Sequence, residues 1–507
     1  MNLDIATFAP YRMSAGARGR GGLVLAHRTG YRRPMFRKTH GAGIPAGPVR
    51  KTLRVTLAVA SAAALLATAI VLPGRIRSRA GPAELWTDNP GILAAAELFN
   101  ASQNRHLVVV RWKDNLAEAL RTTDNPPAIA VGQGLRSRTL TSRFRDLDPF
   151  LDSKAIQSDT FYPSLLASGS FGQTQVLLPL SFELDLIAFS RNSTTTQRPL
   201  FMDSEDLSAA AKEWLAKPGT GSPPGEAPAQ APGKAAAKTA ASDRMAFSYR
   251  WNTDFLTAWI DAAGAKFGEA PADARNKTSE AAMVPLRWDS EGLASAIERV
   301  RATAVELNGS AAAEDEFSFK YMVAPAYRHA AEGRILFAPM DTATFFLLDG
   351  NLRRKLDFRW STEAGKLRIK DNACYVGLPK ALSGRAAADA FLRWLFRKEN
   401  QEALLEAADL NRSSESSFGI AGGFSSLIAI TEGSFPRRHP ELIGRIPTAD
   451  TLLVAEPLPT RWPEISASIV SPWLAEMAAK APGSGVDGAT LTAKINDYLS
   501  RNPEAAP

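Results

Sequence analysis

From Glu84 to Val131 the chain alternates short β-branched runs with helical ones, an order that few architectures accept. Glu84-Leu85-Trp86-Thr87 reads as a short strand. Asn89-Pro90 then supplies a helix cap and a proline at the first helical position, ahead of Leu93, Ala96 and Phe99. Leu107 to Trp112 is a run suited to a buried strand, and Leu116 to Arg121 is a helix. Ala128 to Val131 is a third strand after Pro126-Pro127. Strand, helix, strand, helix, strand at this spacing predicts an α/β fold with a parallel sheet and crossover helices.

The same alternation continues downstream. Val176 to Phe189 is a strong strand signal, interrupted by Pro179 and by the polar pair Glu183 and Asp185. A helix over Asp206 to Ala216 leads into residues 217–241, a segment dominated by Pro, Gly, Ala, Ser, Thr and Lys. Such a composition buries too little apolar surface to order itself, and it reads as a disordered surface insertion. Met245 to Trp259 is aromatic-rich, with Tyr249 and Trp251 alternating as on a strand. Ser290 to Leu307 and Tyr321 to Glu332 read as helices, and Arg334 to Phe337 as a strand. Arg385 to Ala408 is the clearest helix, with Ala387, Phe391, Leu395, Leu404 and Leu405 on one face.

Ahead of all this stands an uncharged, mostly apolar run, Val55 to Leu72. As a helix it reaches roughly 27 Å, close to the hydrocarbon thickness of a bilayer. Arg50, Lys51 and Arg54 precede it, which favours a cytoplasmic N-terminus, although Arg75, Arg77 and Arg79 on the far side weaken the bias. Residues 1–52 read as a basic, disordered leader, within which Met35 offers an alternative start. The run is longer than the ~7–15 residues of a signal core, so residues 53–72 are expected to stay as a transmembrane anchor. The rest of the chain is then extracytoplasmic, or secreted or periplasmic if the run is cleaved.

Net charge is +8, but much of it belongs to the leader, so no nucleic-acid face is implied. Cys374 is the only cysteine, which excludes an internal disulfide and a cysteine-based zinc cluster. There is no His-Glu-x-x-His, no Gly-x-Ser-x-Gly and no phosphate-binding loop. No metal, no cofactor and no enzymatic activity are expected. Glu183 and Asp185, ~6.5–7 Å apart on one strand, have the spacing of a glycosidase pair, yet such pairs are common in proteins that catalyse nothing.

The punctuating residues also resemble a known family. Trp86-Thr87 before a capped helix ending in Phe99-Asn100 looks like the opening of extracellular solute-binding proteins of ABC importers, the sugar-type cluster. Asp146-Leu147-Asp148-Pro149-Phe150-Leu151 and Leu177-Leu178-Pro179-Leu180-Ser181 are similar to its segments after the third strand and at the crossover. So are Ala263-Gly264-Ala265-Lys266-Phe267, Gly333 to Met340, and Val376-Gly377-Leu378-Pro379-Lys380 with the helix from Ala388 to Leu405. The chain departs from the family in lacking a lipoprotein cysteine, in carrying the insertion, and in having Met340-Asp341 where an aromatic is commoner.

The resemblance implies a two-lobed periplasmic-binding-protein-like fold with hinge crossovers. Lobe one would comprise residues 83–182 and 357–408, and lobe two residues 186–356 and 411–500. It implies a monomer that captures a solute, expected to be a saccharide, by lobe closure and hands it to an ABC permease. The alternative is a membrane-anchored sensor or scaffold with the same fold and no transport role.

Candidate ligand contacts follow from position. Trp86, Thr87 and Asp88 end the first strand, and Gln133 lies in Gly132-Gln133-Gly134 after the third. Ser181 and Glu183 alternate on the crossover strand, so they share a face. Tyr249 and Trp251 offer an aromatic platform, and Asp341 follows a strand-like run. Gly422-Gly423-Phe424 forms a compact turn expected at the lip of the cleft.

Overall fold

The strands read between Glu84 and Val131 form, and they pair as the alternation requires. In the computed structural model, residues 81–217, 244–271, 285–381 and 383–502 are described. Residues 1–80, with the basic leader and the apolar run, lie outside them, as does the insertion beyond Lys217. Among the described residues no helix is long and apolar enough to cross a membrane.

In chain order the main strands are Ala83–Thr87 (β1), Val108–Trp112 (β2), Ile129–Gly132 (β3) and Leu177–Phe182 (β4). Asp185–Ser190 (β5), Phe201–Met202 (β6), Ala338–Asp341 (β7) and Leu356–Ser361 (β8) follow. Leu367–Ile369 (β9), Cys374–Gly377 (β10), Phe424–Ser425 (β11) and Leu452–Val454 (β12) complete the set. A six-stranded sheet has the order β11-β4-β10-β3-β1-β2, and a four-stranded sheet the order β7-β5-β8-β6. β1 pairs in parallel with both β2 and β3, whereas β10 and β11 join antiparallel, so the first sheet is mixed.

Two crossings join the sheets. Glu183-Leu184 leads from β4 into β5, and the chain between β9 and β10 returns. They lie side by side: the Lys370 amide donates to the Glu183 carbonyl at 3.0 Å, and Leu184 bridges Ile369. The second sheet is buried on both faces, which its two-residue period makes visible. Leu186 and Ala188 of β5 pack into the core shared with the first sheet. Ile187 and Phe189 pack instead into a separate core with the helices Thr253–Ile260, Ser290–Asn308 and Ser471–Ala478.

Several expectations are corrected. Val176 to Phe189 is two strands in different sheets, broken at the crossing. Leu356–Ser361 pairs with β5, so residues 357–361 belong with the second sheet. Phe424–Ser425 pairs with β4, so this part of 411–500 belongs with the first. β2 is an edge strand with Val109 43% and Trp112 54% exposed, because a β-branched run has the same composition at an edge or a centre. The long helix is two, Arg385–Leu395 and Lys398–Leu410. Asn400 and Gln401 donate side-chain hydrogen bonds to the Trp394 and Leu395 carbonyls, satisfying the groups freed at the break. The segment read as Tyr321–Glu332 holds only the end of the helix Ala311–Tyr321 and, after Pro325, the short helix Ala326–Ala331. The strand read at Arg334–Phe337 starts later, at Ala338.

Candidate binding groove

The carboxyl ends of β1 and β3 open toward the crossings, where open α/β sheets place ligands. After β1, Thr87 Oγ1 accepts from the Asn89 amide at 3.0 Å and Asn89 Oδ1 accepts from the Gly91 amide at 3.0 Å, which turns the chain into the helix Gly91–Ser102. Asn89 Nδ2 donates to the Ala421 carbonyl at 2.7 Å, tying this turn to the glycine-rich loop. Asp88 lies over Gly132 and accepts from the Gln133 amide at 3.2 Å. Burial, only partly offset by that bond, pushes its carboxyl up to about 6. The Cys374 thiol is buried beside it and pushed well above its usual range, first by burial and then by the Asp88 charge.

Charged side chains cluster where the two crossings meet. Glu183 accepts from Asn372 Nδ2 at 2.8 Å, and Lys370 Nζ lies 3.1 Å from Asp185 Oδ1. Burial and then the charge of Asp341 push the Glu183 carboxyl up to about 7. Burial alone would lower the Lys370 ammonium, yet Asp185, Asp341 and Glu183 hold it above its ordinary value. Arg368 Nε is 2.6 Å from Asp261 Oδ2, and its Nη2 is 2.6 Å from Asp371 Oδ1. The other oxygen of Asp371 accepts from Trp462 Nε1 at 2.9 Å, which fixes the indole.

These groups wall a narrow groove. Gln133, Arg136 and Ser137 form its first-sheet side, and Lys370, Asp371 and Tyr375 its end wall. Glu456, Leu458, Pro459 and Trp462, which follow β12, close the opposite side. Arg136 Nε donates to the Ser168 carbonyl at 3.0 Å, and its guanidinium lies against the Tyr375 ring at 5.7 Å. Phe267 backs the Trp462 ring at 5.8 Å. The cavity volume is about 50 Å³. That accommodates a few waters, far below the ~300–1,000 Å³ of a ligand pocket. A wider depression of about 720 Å³ lies between Asp349–Arg353 and the helix Lys398–Leu410, but its aromatic side chains Phe346, Phe418 and Phe435 are buried among themselves.

The structure gathers some of the expected site residues and disperses others. Gln133 lines the groove, with Asp88 directly behind it, while Glu183 sits at the crossing and contacts its end wall. Asp341 also faces the crossing but caps the helix Thr342–Phe346, accepting from the Thr344 amide at 2.6 Å. Ser181 is buried, its hydroxyl reaching the Ala421 carbonyl at 3.4 Å. Thr87 ends β1 with its hydroxyl holding the following turn, and Trp86 lies under the Lys113 ammonium at 3.9 Å.

Three aromatics are corrected to packing roles. Tyr249 and Trp251 lie in a 3₁₀ turn, where alternation does not place them on one face. Tyr249 is 2% exposed, with Phe247 at 4.7 Å and Trp259 at 4.5 Å. Trp251 stacks on Phe317 at 5.6 Å. Phe424 is wholly buried between Phe182, Phe418 and Phe435, so only Gly422 and Gly423 remain in the turn that reaches toward Asn89. Sequence reasoning missed Arg136, Lys370, Asp371, Tyr375 and Trp462. Charge-dense Arg368-Ile369-Lys370-Asp371 at a strand end, and Trp462-Pro463 at a helix start, were the available signals.

No family model matches the chain, and no curated protein matches it. Among solved structures, the chain is similar to the cyclic α-maltosyl-1,6-maltose binding protein of Arthrobacter globiformis, with 14% identity, 83% of this chain and 100% of that chain covered, and a TM-score of 0.48. It is likewise similar to an ABC substrate-binding protein of Listeria monocytogenes solved with cycloalternan, at 13% identity, 83% and 98% coverage, and a TM-score of 0.48.

Proposed function

We propose that the chain is the extracytoplasmic substrate-binding component of an ABC importer, which captures a neutral saccharide by closing two lobes around it. The observation that carries this reading is the groove between the two sheets, at the carboxyl ends of β1 and β3 and beside both crossings. Its charged lining consists of two cations, Arg136 and Lys370, and two anions, Asp371 and Glu456, which sum to zero. Lys370 is matched by Asp185, Asp371 by Arg368, and Glu456 by Arg287. Binding an ionic solute against Lys370, Asp371 or Glu456 would break one of these pairs, and Arg136 is turned onto the Ser168 carbonyl and the Tyr375 ring, whereas a polyhydroxyl compound needs planar amides and an aromatic face.

Gln133 supplies such an amide, and its side chain makes no hydrogen bond among the described residues. Trp462 supplies the aromatic surface, held by Asp371 and Phe267. The lobes must part to admit a sugar ring and close to contact it from both sides, so binding shifts an open–closed equilibrium. No chemical step is required of these residues. The permease, the membrane anchor at 53–72 and a monomeric state belong to the same proposal and rest on the sequence resemblance and the apolar run.

Isothermal titration of the full chain in detergent against neutral mono- and oligosaccharides, with amino acids and sugar phosphates as controls, tests the reading. Saturable binding of a neutral sugar that Trp462→Ala weakens at least tenfold is expected. Silence across the saccharide panel would overturn capture and leave a sensor or scaffold role.

A further inference from the structure

The mouth of the groove is bridged by protein. Glu269, on the second-sheet side, is 2% exposed and reaches across to the segment that follows β3. Its Oε2 accepts from the Ser137 hydroxyl at 3.1 Å and from the Arg138 amide at 2.6 Å. Arg138 begins the 3₁₀ helix Arg138–Arg143, whose first amides have no partner within the helix. The carboxylate therefore satisfies a donor that would otherwise be orphaned. Behind Glu269, its own amide donates to the Pro457 carbonyl at 2.7 Å, anchoring the acid to the Val454–Pro463 wall of the groove.

Two further contacts lie along the same seam. Thr460 Oγ1 donates to Glu118 Oε2 at 3.2 Å, and Asn115 Nδ2 to Glu464 Oε1 at 3.4 Å. Arg138 also approaches Glu456 at 3.8 Å, but both side chains are about half exposed, and an exposed pair of that kind contributes little. Glu269 differs from these in being buried and in accepting across the seam from at least two donors among the described residues, one of them a backbone amide, which gives a strong charge-assisted arrangement.

We propose that Glu269 is a built-in latch. It docks on Ser137 and Arg138 to hold the two lobes closed by protein contacts alone, so that solute entry requires the latch to be released. The inference rests on the lobe-closure reading above and deepens it. The latch sets how often the groove opens, and because the liganded form is also closed it holds the empty and the occupied groove shut alike. It also means that releasing the latch speeds both entry and escape.

The test uses the full chain in detergent with spin labels at Asp124→Cys, on the first-sheet side, and Glu291→Cys, on the second. Both positions are exposed, and the native Cys374 is buried. Pulsed dipolar spectroscopy reads the distance distribution without any solute. A short, narrow distribution is expected for the otherwise native chain, and a longer component about tenfold more populated is expected in Glu269→Ala. Ser137→Ala removes one donor from the other side and is expected to give a smaller shift in the same direction, which keeps the test decisive if the Glu269 variant misfolds. Distributions unchanged by both substitutions, or equally broad before and after, overturn the latch. Because no sugar is present, that result is separate from failure of the saccharide titration, which bears on capture alone.

Discussion

The Asp88 carboxylate occupies the space that a β-carbon on Gly132 would need, with the Leu116 side chain pressing from the other side. This close approach lets a buried acid sit over the end of β3 and accept from the Gln133 amide. Gly132→Ala is therefore expected to destabilise the protein by on the order of 2 kcal/mol through overpacking. Adding Asp88→Ala should recover part of that loss, because Leu116 still crowds the site. Urea unfolding of the wild type, both single variants and the double variant measures the coupling, and strictly additive losses would refute the proposed contact.

Glu183 makes stability depend on pH in a defined direction. Its carboxyl is pushed up to about 7 in the fold against an ordinary value of 4.5, so the native state binds more protons than the unfolded chain between those values. Stability from this group falls as pH rises through that window, and the full penalty of a buried charge is present above it. Glu183→Gln should stabilise the protein by on the order of 2 kcal/mol at pH 8 and have little effect near pH 4. Thermal melts of both proteins at the two pH values decide it; a variant that is equally shifted at each would rule out titration of Glu183 as the cause.

Trp462 tests whether the groove wall must be held rigid. Trp462→Phe keeps an aromatic against Phe267 but loses the hydrogen bond to Asp371. Affinity for a bound saccharide should fall about tenfold while the melting temperature moves only slightly. Titration calorimetry beside a thermal melt separates the two, and unchanged affinity would remove Trp462 from the site.

Tyr249 provides the opposite control. Its ring is enclosed by Phe247, Phe255 and Trp259, away from the groove residues. Tyr249→Ala should cost about 3–5 kcal/mol of stability, as for other large core aromatics. The folded fraction should bind solute with unaltered affinity. A selective loss of binding would restore the aromatic-platform role expected from the sequence.

Elements whose signals are local were legible in the amino-acid order. The apolar runs at Leu85, Val108 and Ile129 become strands. Tyr249 and Trp251 misled because period two marks a strand only if the backbone is extended, and here it turns. Phe424 misled because two preceding glycines announce a flexible loop, while the ring itself is captured by Phe182, Phe418 and Phe435.

The sequence by itself determined the strand and helix alternation and the turns that punctuate it. Each rests on interactions among residues a few positions apart. Only the tertiary structure decided that Leu356–Ser361 joins the second sheet, that Asp371 holds Trp462, and that Glu269 meets Ser137 and Arg138. Those contacts join residues 91 to 174 positions apart, and periodicity carries no information over such distances. Burial and hydrogen-bond satisfaction across the whole fold select them instead.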